Sequence, residues 1–194
     1  SCSTLIPFLL MALLAACVAP AAAPTIADNT VRPRSASADS SAFPVTITDD
    51  KGEVTLEQPA ERIVVFSEEF TELFVAMDLA PVGVALWRNG PTGDTFEQLP
   101  YLDQPILGEP RYVDGNEPNL EVIAALQPDL ILNHEYNDSG NADLQASLAQ
   151  IAPVLTYYGG EVGGWQRALR GLGQATGYSD RAAAIIADYE ARVA

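Results

Sequence analysis

The sequence predicts an α/β domain of the doubly wound class, and three observations carry that prediction. Apolar runs of strand length recur at RIVVF (62–66), APVGVAL (80–86), DLILN (129–133) and PVLTYY (153–158). Between them lie segments whose apolar residues repeat at helical spacing. Fully apolar strands that alternate with amphipathic helices form a mostly parallel sheet, covered on both faces. The third observation is size: 194 residues, 48% of them hydrophobic, are enough for one sizeable core.

The first residues read apart from that core. LIPFLLMALLAAC (5–17) is an uncharged apolar run too short to span a bilayer, so it reads as the apolar region of a signal peptide. It ends in Leu14-Ala15-Ala16-Cys17, which resembles the lipobox of bacterial lipoproteins, where cleavage leaves Cys17 first and lipidated. The other reading is an ordinary signal peptide cut after an Ala-x-Ala site such as 21–23. No initiator Met or basic start precedes the run, so the chain is expected to begin inside the coding region. Residues 18–42 are rich in Ala, Pro and Ser without an apolar period and read as a disordered tether. Such a tether reaches about 25–30 Å. An anchor and tether of this kind place the folded part, from residue 43 onward, outside the cytoplasmic membrane.

Within that part, PVTITDDKGEVTL (44–56) alternates around Asp49-Asp50-Lys51-Gly52 and predicts a hairpin. After RIVVF, Ser67 is placed to cap a helix over 68–79 with Glu68 and Glu69 in its first turn. Phe70, Leu73, Phe74 and Met77 give that helix its apolar stripe. A short strand is expected at ILG (106–108), a short helix at NLEVIAAL (119–126) and another at NADLQASLAQI (141–151). GWQRALRGLGQAT (164–176) is expected to stop at Gly177. The last helix, 179–194, starts at a Ser179 cap and carries Ala182, Ile185, Ile186, Tyr189 and Val193 on one side. It has no stop signal, and the chain is expected to be truncated there.

Composition excludes several functions. Formal net charge is -16, with Lys51 the only lysine, so the chain repels phosphate backbones and nucleic-acid binding is excluded. Both cysteines, Cys2 and Cys17, precede the tether, so the folded part has no disulfide or thiolate metal site. His134 is the sole histidine, which leaves little for a metal site or a catalytic triad. VVFSEEF lacks the glycines of a dinucleotide loop. Glu68, Glu69 and Glu135 alone make a poor acid-base set, so no enzyme is expected.

In order along the chain, RIVVFSEEFTELFVAMDLAPVGVA, PNLEVIAALQPDLIL and GWQRALRGLGQATGYSDRAAAIIADYEAR resemble the substrate-binding lipoproteins of iron-siderophore, haem and cobalamin ABC importers. The resemblance covers roughly residues 43–194. It implies two α/β lobes joined by one rigid helix. Residues 43–178 would then be the N-terminal lobe, and 179–194 the start of the connector, with the C-terminal lobe missing. It further implies that Glu121 projects from the lobe tip and pairs with arginines of the membrane permease, whose partner ATPase drives release. An exposed carboxylate on a short fixed helix is a good geometric peg for guanidinium groups. The competing reading of Glu121 is that it only complements the helix dipole.

Ligands of doubly wound sheets sit beyond the carboxyl ends of the strands. Trp87 and Arg88 there offer a stacking face and a cation suited to the polar oxygens of a ferric siderophore. Arg111, Tyr112, His134 and Tyr136 complete the expected ligand set. Gly115 stands where ferrichrome-type members of that family carry an arginine, a departure that Arg111 would have to fill from nearby. His134 and Tyr136 also raise haem, which uses His or Tyr as axial ligand. No resident cofactor or metal is expected. The alternatives to siderophore binding are haem or cobalamin capture by the same fold, or a lipid-anchored adhesion or scaffold module.

Overall fold

The computed structural model describes residues 38–86, 105–108, 110–115, 117–135 and 142–194. Five parallel strands, β3 (Ile63–Phe66), β4 (Gly83–Leu86), β5 (Arg111–Asp114), β6 (Leu130–Glu135) and β7 (Val154–Tyr158), form one sheet. Its order is β5-β4-β3-β6-β7. The hairpin of β1 (Val45–Thr48) and β2 (Glu53–Leu56) precedes it as a separate antiparallel pair. The helices are α1 (Thr71–Ala76), α2 (Leu120–Ala125), α3 (Ala142–Leu148), α4 (Gly164–Thr176) and α5 (Ser179–Val193). The α/β architecture with a parallel sheet is the expected one.

Helices cover both faces because the central strands are apolar on both. Ile63, Val64, Val65 and Phe66 all have 0% exposure. Successive strand residues point to opposite sides. Ile63 and Val65 join a core with the hairpin, α1, α4 and α5, built around Phe74, Leu169 and Ile186. Val64 and Phe66 join a second core with α2 and α3, including Ile123, Leu126 and Leu148. Burying each such side chain contributes at most about 1.5–3 kcal/mol.

Several boundaries differ from the sequence expectation, each for a local reason. Ser67 Oγ accepts from the backbone of Glu69 (3.1 Å) and Phe70 (3.3 Å) as expected of a cap. The chain then passes through three-residue turns, Thr71 N–H to Glu68 O and Glu72 N–H to Glu69 O, so α1 proper begins only at Thr71. Residues 105–107 form a 3-10 turn rather than a strand at 106–108. The strand lies further along, at Arg111–Asp114, where its side pairs with β4. α5 takes Ser179 as its first residue, after Tyr178, and no side chain caps it. Gly177 ends α4 in the left-handed conformation (φ +76°), as its C′ position demands. Along α5, Ala182 and Ile186 are buried, whereas Tyr189 (38%) and Val193 (63%) are exposed.

The helix that carries Glu121 is fixed at both ends. Asn119 Oδ1 accepts from the backbone N–H of Glu121 (3.0 Å) and Val122 (3.2 Å). At the other end, Arg62 Nη2 donates to Leu126 O (2.7 Å) and Nε to Gln127 O (3.1 Å), satisfying carbonyls the short helix cannot. Asp129 closes the junction by accepting from Glu61 N–H (2.8 Å) and Arg62 N–H (2.9 Å). The Pro128-Asp129 turn after α2 thereby ties the helix to the start of β3.

Candidate functional site

Strand order decides where a ligand can sit. From β3 the chain steps outward to β4 and β5, then returns to the other side of β3 to lay down β6 and β7. The connections leaving β3 and β6 run apart, and the crevice between their carboxyl ends is the binding position of such sheets. Ser67 to Phe70 follow β3, and His134 and Glu135 end β6.

β6 is longer than its apolar run implied. Asn133, His134 and Glu135 are strand residues, and all are buried despite being polar. Burial of polar groups needs partners, and each finds them at this edge. His134 Nε2 lies 3.4 Å from Glu69 Oε2, and its ring packs 4.8 Å from that of Phe70. On the side of Gly159 there is no room even for a methyl group, since a Cβ there would overlap His134 Nε2. Glu135, pointing to the opposite face, accepts from Gln145 Nε2 (2.7 Å) and Asn133 Nδ2 (3.5 Å). Its other oxygen pairs with Lys51 Nζ at 3.1 Å.

A groove of about 670 Å³ opens from this point between α1, α4 and α5. Glu69, Phe70 and Gly159 are among its lining residues. Trp165 and Tyr189, edge to face at 4.9 Å, form its aromatic wall. The size falls within the range of small-molecule sites, about 300–1,000 Å³. Among the described residues no group of three or more His, Cys, Asp or Glu side chains could hold a metal ion.

Of the residues expected from sequence, His134 lies at the crevice. It is a floor residue, locked between Phe70, Glu69 and Gly159, rather than a loop side chain. Arg111 and Tyr112 are not brought to it. Arg111 opens β5 in register with Gly83, the first residue of β4, so it stands at the amino end of the sheet. β5 is also the far edge strand, three positions from β6. Both side chains are exposed. Glu121 is exposed in the first turn of α2. Trp87, Arg88, Tyr136 and Cys17 lie outside the described residues. Sequence reasoning missed Phe70, Gly159, Trp165 and Tyr189 as site residues. The Gly159-Gly160 pair after β7 was the one available signal, because glycine at a strand end marks a close approach.

Burial is the main influence on His134 and holds its imidazole below the ordinary 6.5, with Glu69 and then Glu135 pulling the other way. The neutral ring is therefore the native form. Below pH 6.5 the unfolded chain takes up a proton that the folded chain refuses, so stability falls as pH falls, by up to about 1.4 kcal/mol per pH unit. As the only histidine, His134 dominates that window before carboxylates titrate. Urea unfolding between pH 7.5 and 5.5 should show this loss, and His134→Gln should flatten it. An equal slope in the variant would remove His134 as the cause.

A protein-family model described as periplasmic binding protein matches residues 63–194. The Fe(3+) dicitrate-binding periplasmic protein FecB of Escherichia coli (strain K12) is 36% identical over 116 residues, covering 60% of this chain and 36% of FecB. The probable siderophore-binding lipoprotein YfiY of Bacillus subtilis (strain 168) is 33% identical over 134 residues, covering 69% of this chain and 38% of YfiY. The chain thus spans well under two thirds of the length of these relatives. Among solved structures, Staphylococcus aureus SirA complexed with staphyloferrin B superposes with a TM-score of 0.62 at 23% identity, over 77% of this chain and 48% of SirA. That likeness shows the fold.

Proposed function

The chain belongs to the periplasmic binding protein family, and from that premise we propose that it is the substrate-binding component of an ABC importer. It captures a ferric siderophore outside the cytoplasmic membrane and hands it to a permease, with no chemistry of its own. The observation that carries this reading is the groove of about 670 Å³ that meets the strand ends at Glu69 and Phe70 after β3 and at Gly159 after β7, with Phe70, Trp165 and Tyr189 as its aromatic lining. Aromatic walls suit the apolar frame of a siderophore. The names of FecB and YfiY, an iron dicitrate binder and a probable siderophore binder, support the ligand class.

The remaining parts follow from the same reading. Cys17 carries a lipid and the residues after it tether the domain to the outer face of the membrane; YfiY is likewise named a lipoprotein. The expected tether, 18–42, is too long at its end, since Ala38 packs on the core and Asp39 N–H donates to Gly177 O at 2.9 Å. α5 is the start of the connector to a second lobe that completes the cleft. Trp87, Arg88 and Tyr136 add ligand contacts. Glu121, exposed on a helix pinned at both ends, is the docking peg for permease arginines. ATP hydrolysis by the partner ATPase then drives release of the ligand.

Intrinsic tryptophan fluorescence tests this. The complete gene product from Phe43 onward is titrated with ferric citrate, a ferric catecholate, a ferric hydroxamate, haem and cobalamin. The sequence given holds two tryptophans, Trp87 and Trp165, so Trp87→Phe and Trp165→Phe serve as controls. Saturable quenching by one ferric complex, reduced in one control, is the expected result. Saturation only by haem or cobalamin moves the assignment to those ligands. No saturation by any of the five sinks the importer reading.

A further inference from the structure

We propose that Lys51 is a ligand-contacting cation at the edge of the crevice, meeting the outer carboxylate or catecholate oxygens of an anionic ferric complex. The inference rests on the importer reading and deepens it. Lys51 comes from the β1–β2 turn, 84 positions before its partner Glu135. Its ammonium reaches past the edge of β7 to pair with the last residue of β6, standing 5.4 Å over the ring of Tyr158. Tyr158 is in turn the last residue of β7, in register with Glu135.

Anchoring alone does not require this pair. The turn is already docked on β7 through Asp50 N–H to Thr156 O (3.0 Å), Thr156 N–H to Asp49 Oδ2 (2.7 Å) and Tyr158 N–H to Asp50 Oδ2 (2.7 Å). Arg167 adds a further link to Asp50 at 3.0 Å. A pair that includes a buried carboxylate is also poor evidence of a stability role, since desolvation offsets much of the attraction. Here the Glu135 side chain is 8% exposed, while the lysine remains 35% exposed.

Electrostatics give the pair a use. The sequence has a formal net charge of -16, and Lys51 is its only lysine. Glu69 and Glu72 line the groove, and its arginine, Arg192, is paired to Asp188 at 3.0 Å. Lys51 is not part of that groove. With Glu135 and Tyr158 it stands on the other face of the sheet, at the carboxyl ends of β6 and β7, where an anionic ligand over the strand ends meets a positive charge away from the groove carboxylates. A docked turn, a buried carboxylate behind it and an aromatic ring beneath it fix Lys51 there.

The test uses the full-length protein with ferric citrate as the anionic probe and a neutral ferric hydroxamate as its counterpart. Lys51→Gln is expected to weaken ferric citrate binding about tenfold and hydroxamate binding less than about twofold, with Lys51→Arg close to wild type. A second readout needs no variant. Ferric citrate should protect Lys51 of the wild type from acetylation by an amine-reactive ester, followed by peptide mass spectrometry. Saturable ferric citrate binding with no effect of Lys51→Gln and no protection overturns the assignment and leaves the importer reading standing. Binding of the neutral hydroxamate alone also overturns it. Binding of neither probe, nor of any other ferric complex, removes the importer reading and this inference together.

Discussion

Replacing Gly171 by alanine is expected to lower stability by about 2–3 kcal/mol, or roughly 4–12 °C in the unfolding midpoint. The sign runs against intrinsic propensity, because alanine in a helix interior is normally better than glycine by about 1 kcal/mol. Gly171 sits mid-way along α4, and its missing side chain is filled by the ring of Tyr157. A Cβ there would overlap the phenolic oxygen and stand 2.6 Å from Cζ and 3.0 Å from Cε2. The ring has no room to turn aside. Tyr157 is 2% exposed, and β7 is held in register against β6, His134 opposite Tyr157. Tyr157→Phe separates the two causes. Its hydroxyl is buried without a hydrogen-bond partner among the described residues, and burial pushes its ionisation well above the usual range. Removing it alone should therefore cost little or nothing. In the Gly171→Ala background it should restore about half the loss by opening space next to the new methyl. Denaturant unfolding of the three variants decides the point, and a Gly171→Ala protein as stable as wild type would refute the packing.

The same contrast between local and distant causes explains what could be read from the chain. β3 and the apolar part of β6 were legible because strands buried on both faces need unbroken apolar residues, and Ile63–Phe66 and Leu130–Leu132 supply them. Helix α4 was legible from Gly177, whose capping role is satisfied within a few residues of chain, and α2, expected over 119–126, lies at Leu120–Ala125 with Asn119 as its cap. β5 was missed because Arg-Tyr-Val-Asp offers a single buried apolar residue, Val113, and its pairing with β4 is decided by the sheet. The end of β6 was misread for a related reason. Beyond Asn133, the last residue of the expected strand, His-Glu looks like a loop, yet burial there is made tolerable by Glu69, Gln145 and Lys51, residues that sequence distance hides. The crevice follows this rule most strongly. His134 was visible as the only histidine, but Phe70, Gly159, Trp165 and Tyr189 come from four other segments and meet only after the sheet is assembled.

Asp50→Ala is expected to cost about 2–4 kcal/mol, an effect of one surface turn on the whole fold. The carboxylate is 16% exposed and does three things at once. Its Oδ2 accepts from Tyr158 N–H at 2.7 Å and from Arg167 Nη2 at 3.0 Å, while Oδ1 accepts from Arg167 Nε at 3.2 Å. The first bond occupies the open edge of β7, where an unpaired N–H would otherwise invite another strand. The other two make a two-pronged arginine pair, and its hydrogen bonds hold the guanidinium further toward the charged form. Among the described residues, truncation leaves Arg167 with Glu161, 3.0 Å away and 61% exposed, a pairing of little energetic weight. Asp50→Asn keeps one carbonyl acceptor for Tyr158 N–H and loses the charge, so it should retain about half the stability that alanine removes. Hydrogen exchange gives the local readout: the amide of Tyr158 should exchange faster in the alanine variant than in the asparagine one. Equal losses in the two variants would assign the effect to the ion pair alone. A loss below about 0.5 kcal/mol in both would mean that the turn is not held on β7 by Asp50. Because the next residue is Lys51, a turn released by Asp50→Ala also withdraws the ammonium from Glu135. The variant should then weaken ferric citrate binding at least as much as Lys51→Gln does, although Asp50 itself reaches no ligand.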